Sequence, residues 1–121
     1  MASYSFGDDD SRLNEFAWYD SNATNAGEAY AHEVGLKKPN PWGLYDMHGN
    51  AGEWCWDWYD SDYYTSSPST DPRGGTETSG ERVLRGGSWN DNITLLRCVK
   101  RSKANPTSIQ SKTGFRCARG L

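Results

Sequence analysis

Residues spaced for chemistry are few in this chain of 121 residues. His32 and His48 stand too far apart to form a motif, and neither has a second His or Cys at ligand spacing, so both read as structural or exposed. Cys55, Cys98 and Cys117 are too few for a disulfide framework, and the odd count leaves at least one thiol unpaired or all three free. Gly86-Gly87-Ser88 lacks the lysine and the helix of a phosphate cradle, so its glycines suit positive φ or close backbone packing. Asp46 and Glu53 flank a turn marked by Gly49-Asn50. Their two negative charges are enough to hold a dication such as Ca²⁺, which takes carboxylate and carbonyl oxygens. The plainer alternative is a turn with two solvated acids. Arg85 and Arg116 each offer five donors in a fixed fork and are expected to pair with buried acids or carbonyls, with Asp57 a candidate partner.

The segment from Arg82 to Gly120 carries the strongest pattern. A rigid opening (Arg85-Gly86-Gly87-Ser88-Trp89) and closing (Gly114-Phe115-Arg116-Cys117-Ala118) bracket small, polar, unpatterned residues. Between Trp89 and Gly114 there is no His, acid pair or Cys pair beyond the lone Asp91 and Cys98. Catalysis needs particular groups at particular places. Fixed ends around a permissive middle suit a scaffold that presents a surface.

The elements that must hold this surface are short. The length suits one small domain spanning residues 1–121. Hydrophobic residues are only 35 %, and the Trp and Tyr side chains partly compensate by burying large areas. Thirteen Gly and five Pro predict many turns and little regular structure. A net charge of −3 argues against a nucleic-acid partner. There is no apolar run long enough for membrane insertion, and MASYSFGDDD has neither the basic nor the apolar region of a signal peptide. The compartment is not readable from cysteine usage.

A helix capped by Asp10 or Ser11 is expected through Tyr19, with Leu13, Phe16 and Ala17 on one face. Ala31 to Val34 reads as a short strand. Glu53 to Tyr59 alternates Trp54, Trp56 and Trp58 against Cys55, Asp57 and Tyr59, a strand whose tryptophan face is expected in the core; a carbohydrate platform is the alternative. Asp60 to Gly80 is a long Ser-, Thr-, Pro- and Gly-rich loop. Strands follow at Arg82 to Arg85, Leu96 to Arg101 and Phe115 to Arg119.

Three pieces stand in order: Asn40-Pro-Trp-Gly-Leu-Tyr-Asp-Met-His-Gly-Asn-Ala-Gly-Glu-Trp54, Arg82-Val-Leu-Arg-Gly-Gly-Ser-Trp89 and Gly114-Phe-Arg-Cys-Ala118. With them the chain resembles the sulfatase-modifying-factor family, which includes the formylglycine-generating enzymes. The resemblance runs from about Tyr4 to Arg119. It implies an α+β, irregular C-type-lectin-like fold with short antiparallel strands, one or two short helices and many loops. The length matches the C-terminal part of that fold. The resemblance also implies a calcium site of Asp46, the carbonyls of Gly49 and Ala51, and the Glu53 carboxylate, although Gly52 stands where the family usually carries Trp. The family's oxidases hold Cu(I) with two cysteine thiolates after the Gly-Gly-Ser motif. Trp89 to Leu96 contains no Cys, so neither copper nor that oxidase activity is expected. Cys98 and Cys117 fall where the family often places structural cysteines on neighbouring strands.

The sub-family resemblance is to the variable protein of a diversity-generating retroelement, in which a mutagenic reverse transcriptase rewrites chosen codons. It implies a non-catalytic protein that displays a variable surface over about residues 89–113. The candidate ligand-binding residues are Asn90, Asp91, Asn92, Thr94, Leu95, Lys100, Ser102, Lys103, Ala104, Ser108, Gln110, Ser111 and Lys112. The expected ligand is a protein or surface glycan, because nothing forms a deep apolar pocket. The alternatives are an ordinary lectin-like binding domain, or a fragment or relative of a formylglycine-generating oxidase. Replaceable residues must lie outside the core, so Trp89, Leu96, Cys98, Phe115 and Cys117 are expected buried. Asn90, Asn92, Thr94, Lys100, Ser102, Ala104 and Ser108 are expected exposed on one face.

Overall fold

The computed structural model describes residues 1–70, 72–76 and 79–119. Asp9 accepts from the Ser11 N–H and caps a 3₁₀ turn, Asp10–Arg12, that leads into α1 (Leu13–Phe16). The expected helix through Tyr19 stops after Phe16. Asn22 explains the stop: its side chain donates to the Ala17 carbonyl and accepts from the Tyr19 N–H, taking groups a longer helix would use. Ala17–Trp18 instead forms β1, parallel to β2 (His48–Gly49).

The main sheet has four strands: β3 (Gly52–Trp58), β4 (Arg82–Arg85), β5 (Ser102–Ala104) and β6 (Thr113–Gly114), in the order β5-β4-β3-β6. The pairs β3–β4 and β4–β5 are antiparallel, whereas β6 runs parallel to β3. The long loop after β3 contains α2 (Tyr63–Ser66); Asp71, Glu77 and Thr78 of that loop lie outside the described residues. Architecture and proportions are those expected: an α+β, C-type-lectin-like fold with two short helices and short curled strands.

The core lies beside the main sheet. Leu13, Ala17, Tyr4, Tyr19 and Leu96 form one buried cluster, with Phe6 and Ile93 packed against it. Leu96 is fully buried, so the start of the Trp89–Gly114 segment is anchored in the core laid down by the first twenty residues.

Three expected strands are absent. Around His32 the backbone N–H and C=O pair with the Asn50 side-chain amide, which replaces a neighbouring strand. The segment expected as Leu96 to Arg101 follows a 3₁₀ turn, Ile93–Leu95, and its Cys98 and Lys100 carbonyls are taken by the Arg85 guanidinium. Beyond Gly114 there is no ladder, and residues 115–119 are exposed.

The tryptophan stripe also departs from expectation. Trp56 is 85 % exposed, and Trp54 and Trp58 are half-buried. The pairing of β3 with β4 shifts register between Trp54 and Trp58. Arg82 lies over the Trp56 and Trp58 rings, 4.6 and 4.0 Å from their centres, and donates to the Trp56 carbonyl, so this face is covered by a cation rather than by core.

Candidate ligand-binding cleft

The Gly-Gly-Ser corner builds the first wall. Gly86 and Gly87 both have positive φ, +91° and +72°. At Gly87 a side chain would meet the Leu95 carbonyl and the Leu96 side chain at 3.1 Å, so glycine satisfies both backbone direction and packing. The corner is tied to the β2 turn: the Gly49 N–H donates to the Gly86 carbonyl, and the Trp89 N–H donates to the Asn50 carbonyl. Ser88 is buried and donates from both its N–H and its hydroxyl to Asp91 Oδ2, at 2.9 and 2.8 Å. The Asp91 carbonyl in turn accepts from the Asp20 N–H.

Against this corner the sheet opens a cleft of about 160 Å³. Leu84 and Arg85 of β4, Ser102 and Lys103 of β5 and Thr113 of β6 contribute, joined by Lys100, Gln110 and Lys112 from the connections. Of the thirteen expected binding residues, Asp91, Leu95, Lys100, Ser102, Lys103, Gln110 and Lys112 meet here. The other six do not line it. Asn90 accepts from the Thr24 hydroxyl, and Asn92 caps the Ile93–Leu95 turn by accepting from the Thr94 N–H and hydroxyl. Ala104 is 6 % exposed, which removes it from any display surface; Ser108 is half-buried and Ser111 exposed. Asn90, Asn92, Thr94, Lys100 and Ser102 are exposed as expected.

The frame needs more correction. Leu96 is buried and Trp89 half-buried, but Cys98, Phe115 and Cys117 are exposed, Phe115 by 79 %. Cys98 and Cys117 are not on strands, and all three thiols are free; Cys55 does lie on β3. Burial pushes the Cys55 thiol up, away from the reactive thiolate form. The sequence reading missed Leu84, Arg85 and Thr113 as cleft residues. Their signal is adjacency: Leu84 is the register partner of Ser102, and Thr113 that of Gly52.

A second, wider cleft of about 620 Å³ contains the acid pair expected to hold calcium. Asp46 is buried with φ +54°; its Oδ2 accepts from the Gly35 N–H, and its Oδ1 has no partner. Glu53 is bridged by Arg116, whose Nη2 lies 2.7 Å from Oε1 and whose Nε lies 3.1 and 3.0 Å from the two oxygens. Arg116 also donates to the Tyr45 and Asp46 carbonyls, and the Glu53 hydrogen bonds hold its guanidinium protonated beyond its ordinary range. Both Glu53 oxygens are given to a guanidinium, whereas Asp46 Oδ1 is buried with no partner among the described residues. Arg116 thus meets the expectation of pairing with an acid and carbonyls. Arg85 meets it through the Cys98 and Lys100 carbonyls and the Tyr64 hydroxyl, and neither arginine has Asp57 as a hydrogen-bond or ion-pair partner.

The short curled strands and the glycine corner belong to an irregular C-type-lectin-like fold, as the likeness to solved structures shows. The chain belongs to the family of the sulfatase-modifying factor enzyme 1-like domain, whose model matches residues 2–121. Among solved structures it is similar to Treponema denticola variable protein 1, with a TM-score of 0.76 and 34 % identity, covering 95 % of this chain and 40 % of that one. It is also similar to the formylglycine-generating enzyme of Streptomyces coelicolor, 39 % identical over 80 % of this chain and 32 % of the enzyme. The serine/threonine-protein kinase pkn1 of Chlamydia pneumoniae is 46 % identical over 69 % of this chain and 14 % of the kinase. The chain therefore spans well under half the length of each of these relatives. No helix among the described residues is long and apolar enough to cross a membrane.

Proposed function

We propose that this chain is a non-catalytic ligand-binding unit of the diversity-generating retroelement variable-protein type, presenting the cleft beside Gly86-Gly87-Ser88 to its ligand. The observation that carries the reading is convergence. Seven of thirteen positions picked from sequence, scattered from Asp91 to Lys112, line one cleft whose other wall is the glycine corner. The likeness to Treponema denticola variable protein 1 supports it.

The cleft divides its own residues. Asp91 is fixed by Ser88 and belongs to the frame, whereas Lys100, Ser102, Lys103, Gln110 and Lys112 border the opening and are free to vary. The family's oxidases are the competing reading, since formylglycine-generating enzymes are among the relatives. Their copper requires two soft thiolates, and no Cys stands between Ser88 and Leu96. For the acid pair, Arg116 supplies Glu53 with a counter-charge that Ca²⁺ would have to displace. The ligand is a protein or a surface glycan, met by adjustable polar contacts around the apolar floor of Leu84 and Leu95.

Replacing Lys100, Ser102, Lys103, Gln110 and Lys112 together tests the reading. Unfolding should stay cooperative, because surface changes usually cost within about 0.5 kcal/mol each, about 2.5 kcal/mol for five, against a total stability of about 5–15 kcal/mol. Cooperative unfolding lost in this variant would show that these positions hold the fold.

A further inference from the structure

Charge is distributed very unevenly along this acidic chain. Residues 82–119 hold nine of its thirteen Lys and Arg but only one of its sixteen Asp and Glu, Asp91. The candidate cleft draws its whole lining, apart from Gly52, from that basic stretch. A net charge of −3 conceals this separation.

The charges around the cleft differ in how far they are already satisfied. Lys103 is paired with Glu81 at 2.7 Å. The Arg85 guanidinium is turned to two carbonyls and to the hydroxyl of Tyr64, which does not line the cleft. Lys100 and Lys112 line the cleft with no side-chain hydrogen bond or ion pair to any described residue. The single acid, Asp91, turns its Oδ2 to Ser88. Two cations, Lys100 and Lys112, thus line a small opening beside Leu84 and Leu95 with no carboxylate partner among the described residues.

We propose that the ligand of this cleft is an acidic polypeptide segment, whose Asp or Glu carboxylates enter between Lys100 and Lys112. The inference rests on the cleft being the ligand site and adds the chemistry of what it takes. A carboxylate on a short methylene stem matches an opening with an apolar floor and cationic rim. Single-stranded nucleic acids are gripped by stacking their bases on aromatic rings, and no Trp, Tyr, Phe or His lines the cleft. Complementary charge would act mainly on encounter and partner choice, and salt would screen it.

Fluorescence anisotropy with a labelled oligoglutamate peptide and the full chain tests the proposal. The expected result is saturable binding, weakened by raising salt from about 0.05 to about 0.5 M. Binding should also weaken about tenfold or more in the double variant Lys100→Glu, Lys112→Glu, whose folding is checked by its melting curve. Equal binding of oligolysine, no binding of oligoglutamate, or unchanged affinity in a folded double variant would overturn it. Tighter binding of oligothymidylate or of a heparin fragment than of oligoglutamate would also overturn it, by naming another class of partner. The five-position replacement reports separately on whether the cleft is a display site, so failure of the charge inference is distinguishable from failure of that reading.

Discussion

Arg116 closes on Glu53 from the far side of β6, with Nη2 2.7 Å from Oε1 and Nε within 3.1 Å of both carboxylate oxygens. This contact fastens the segment after β6 to β3, where the backbone ladder has already ended. It also occupies the carboxylate that the family resemblance assigns to calcium. Glu53→Ala should cost about 1–2 kcal/mol, a charge-assisted bond discounted for the pair's partial exposure. Changing from EDTA to millimolar Ca²⁺ should leave the melting midpoint of the natural chain unmoved. A calcium-dependent rise would show that a cation displaces the guanidinium, since only binding to the native state raises the midpoint.

His48 makes stability depend on pH. Its Nδ1 lies 2.8 Å from the Leu96 carbonyl, and its Nε2 accepts from the Ser5 N–H, which sets the proton on Nδ1. Burial pushes the imidazole below its ordinary value of 6.5, against a smaller opposing effect of the Leu96 carbonyl. A folded value below the unfolded one means that the unfolded chain binds the proton more readily. Stability is therefore fully present above about pH 6.5 and is lost as pH falls through the folded value. The melting midpoint should drop between neutral pH and pH 5, and the His48 part of that drop should vanish in His48→Gln. An NMR titration placing His48 above 6.5 would contradict this.

Gly49 sits where β1 and β2 meet, with φ +74°. A methyl group there would be driven into the Trp18 carbonyl, which is backbone and has little freedom to move. Gly49→Ala should destabilise by about 2–4 kcal/mol, from strain and overpacking together. Denaturant titration would read the loss directly. A variant as stable as the natural chain would show that β1 and β2 are not held together as described.

Oxidase chemistry gives a sharper contrast between the two readings of the family. Incubated with copper and a sulfatase-type cysteine peptide, the chain should yield no formylglycine by mass spectrometry. Product above the protein-free control would establish catalysis without the thiolate pair.

Much of the fold was legible where local pattern and contact coincide. β4 falls on Arg82–Arg85 as expected, and β3 is displaced from its expected range by one residue at each end, because alternation and β-propensity set both. The motif-bearing corner and seven cleft residues were also readable, since the glycines and the unpatterned stretch mark them directly. What escaped depends on single side chains that pair with backbone groups. Asn22 shortens α1, Asn50 replaces a strand beside His32, and Arg85 takes the carbonyls that an expected strand would have paired. No local pattern announces which side chain serves as a backbone partner, whether five residues away, as for Asn22, or eighteen, as for Asn50. Asp91 and Ala104 look as replaceable as Lys100 in sequence, and only the Ser88 hydrogen bonds and the burial on β5 set them apart.

The central claim is that this fold separates a fixed frame from a replaceable cleft, and tolerance to randomisation measures it most directly. One library would randomise Leu95, Lys100, Ser102, Lys103, Gln110 and Lys112. A second would randomise the buried frame positions Leu13, Ala17, Val83, Ser88, Leu96 and Ala104. Both would be displayed and scored by the fraction of members that resist protease as the natural chain does. Core truncations of large side chains cost about 2–5 kcal/mol each, against a total stability of about 5–15 kcal/mol for a domain of this kind. The account predicts that most members of the cleft library stay folded and that very few of the frame library do. Equal survival of the two libraries, or collapse of the cleft library, would contradict it.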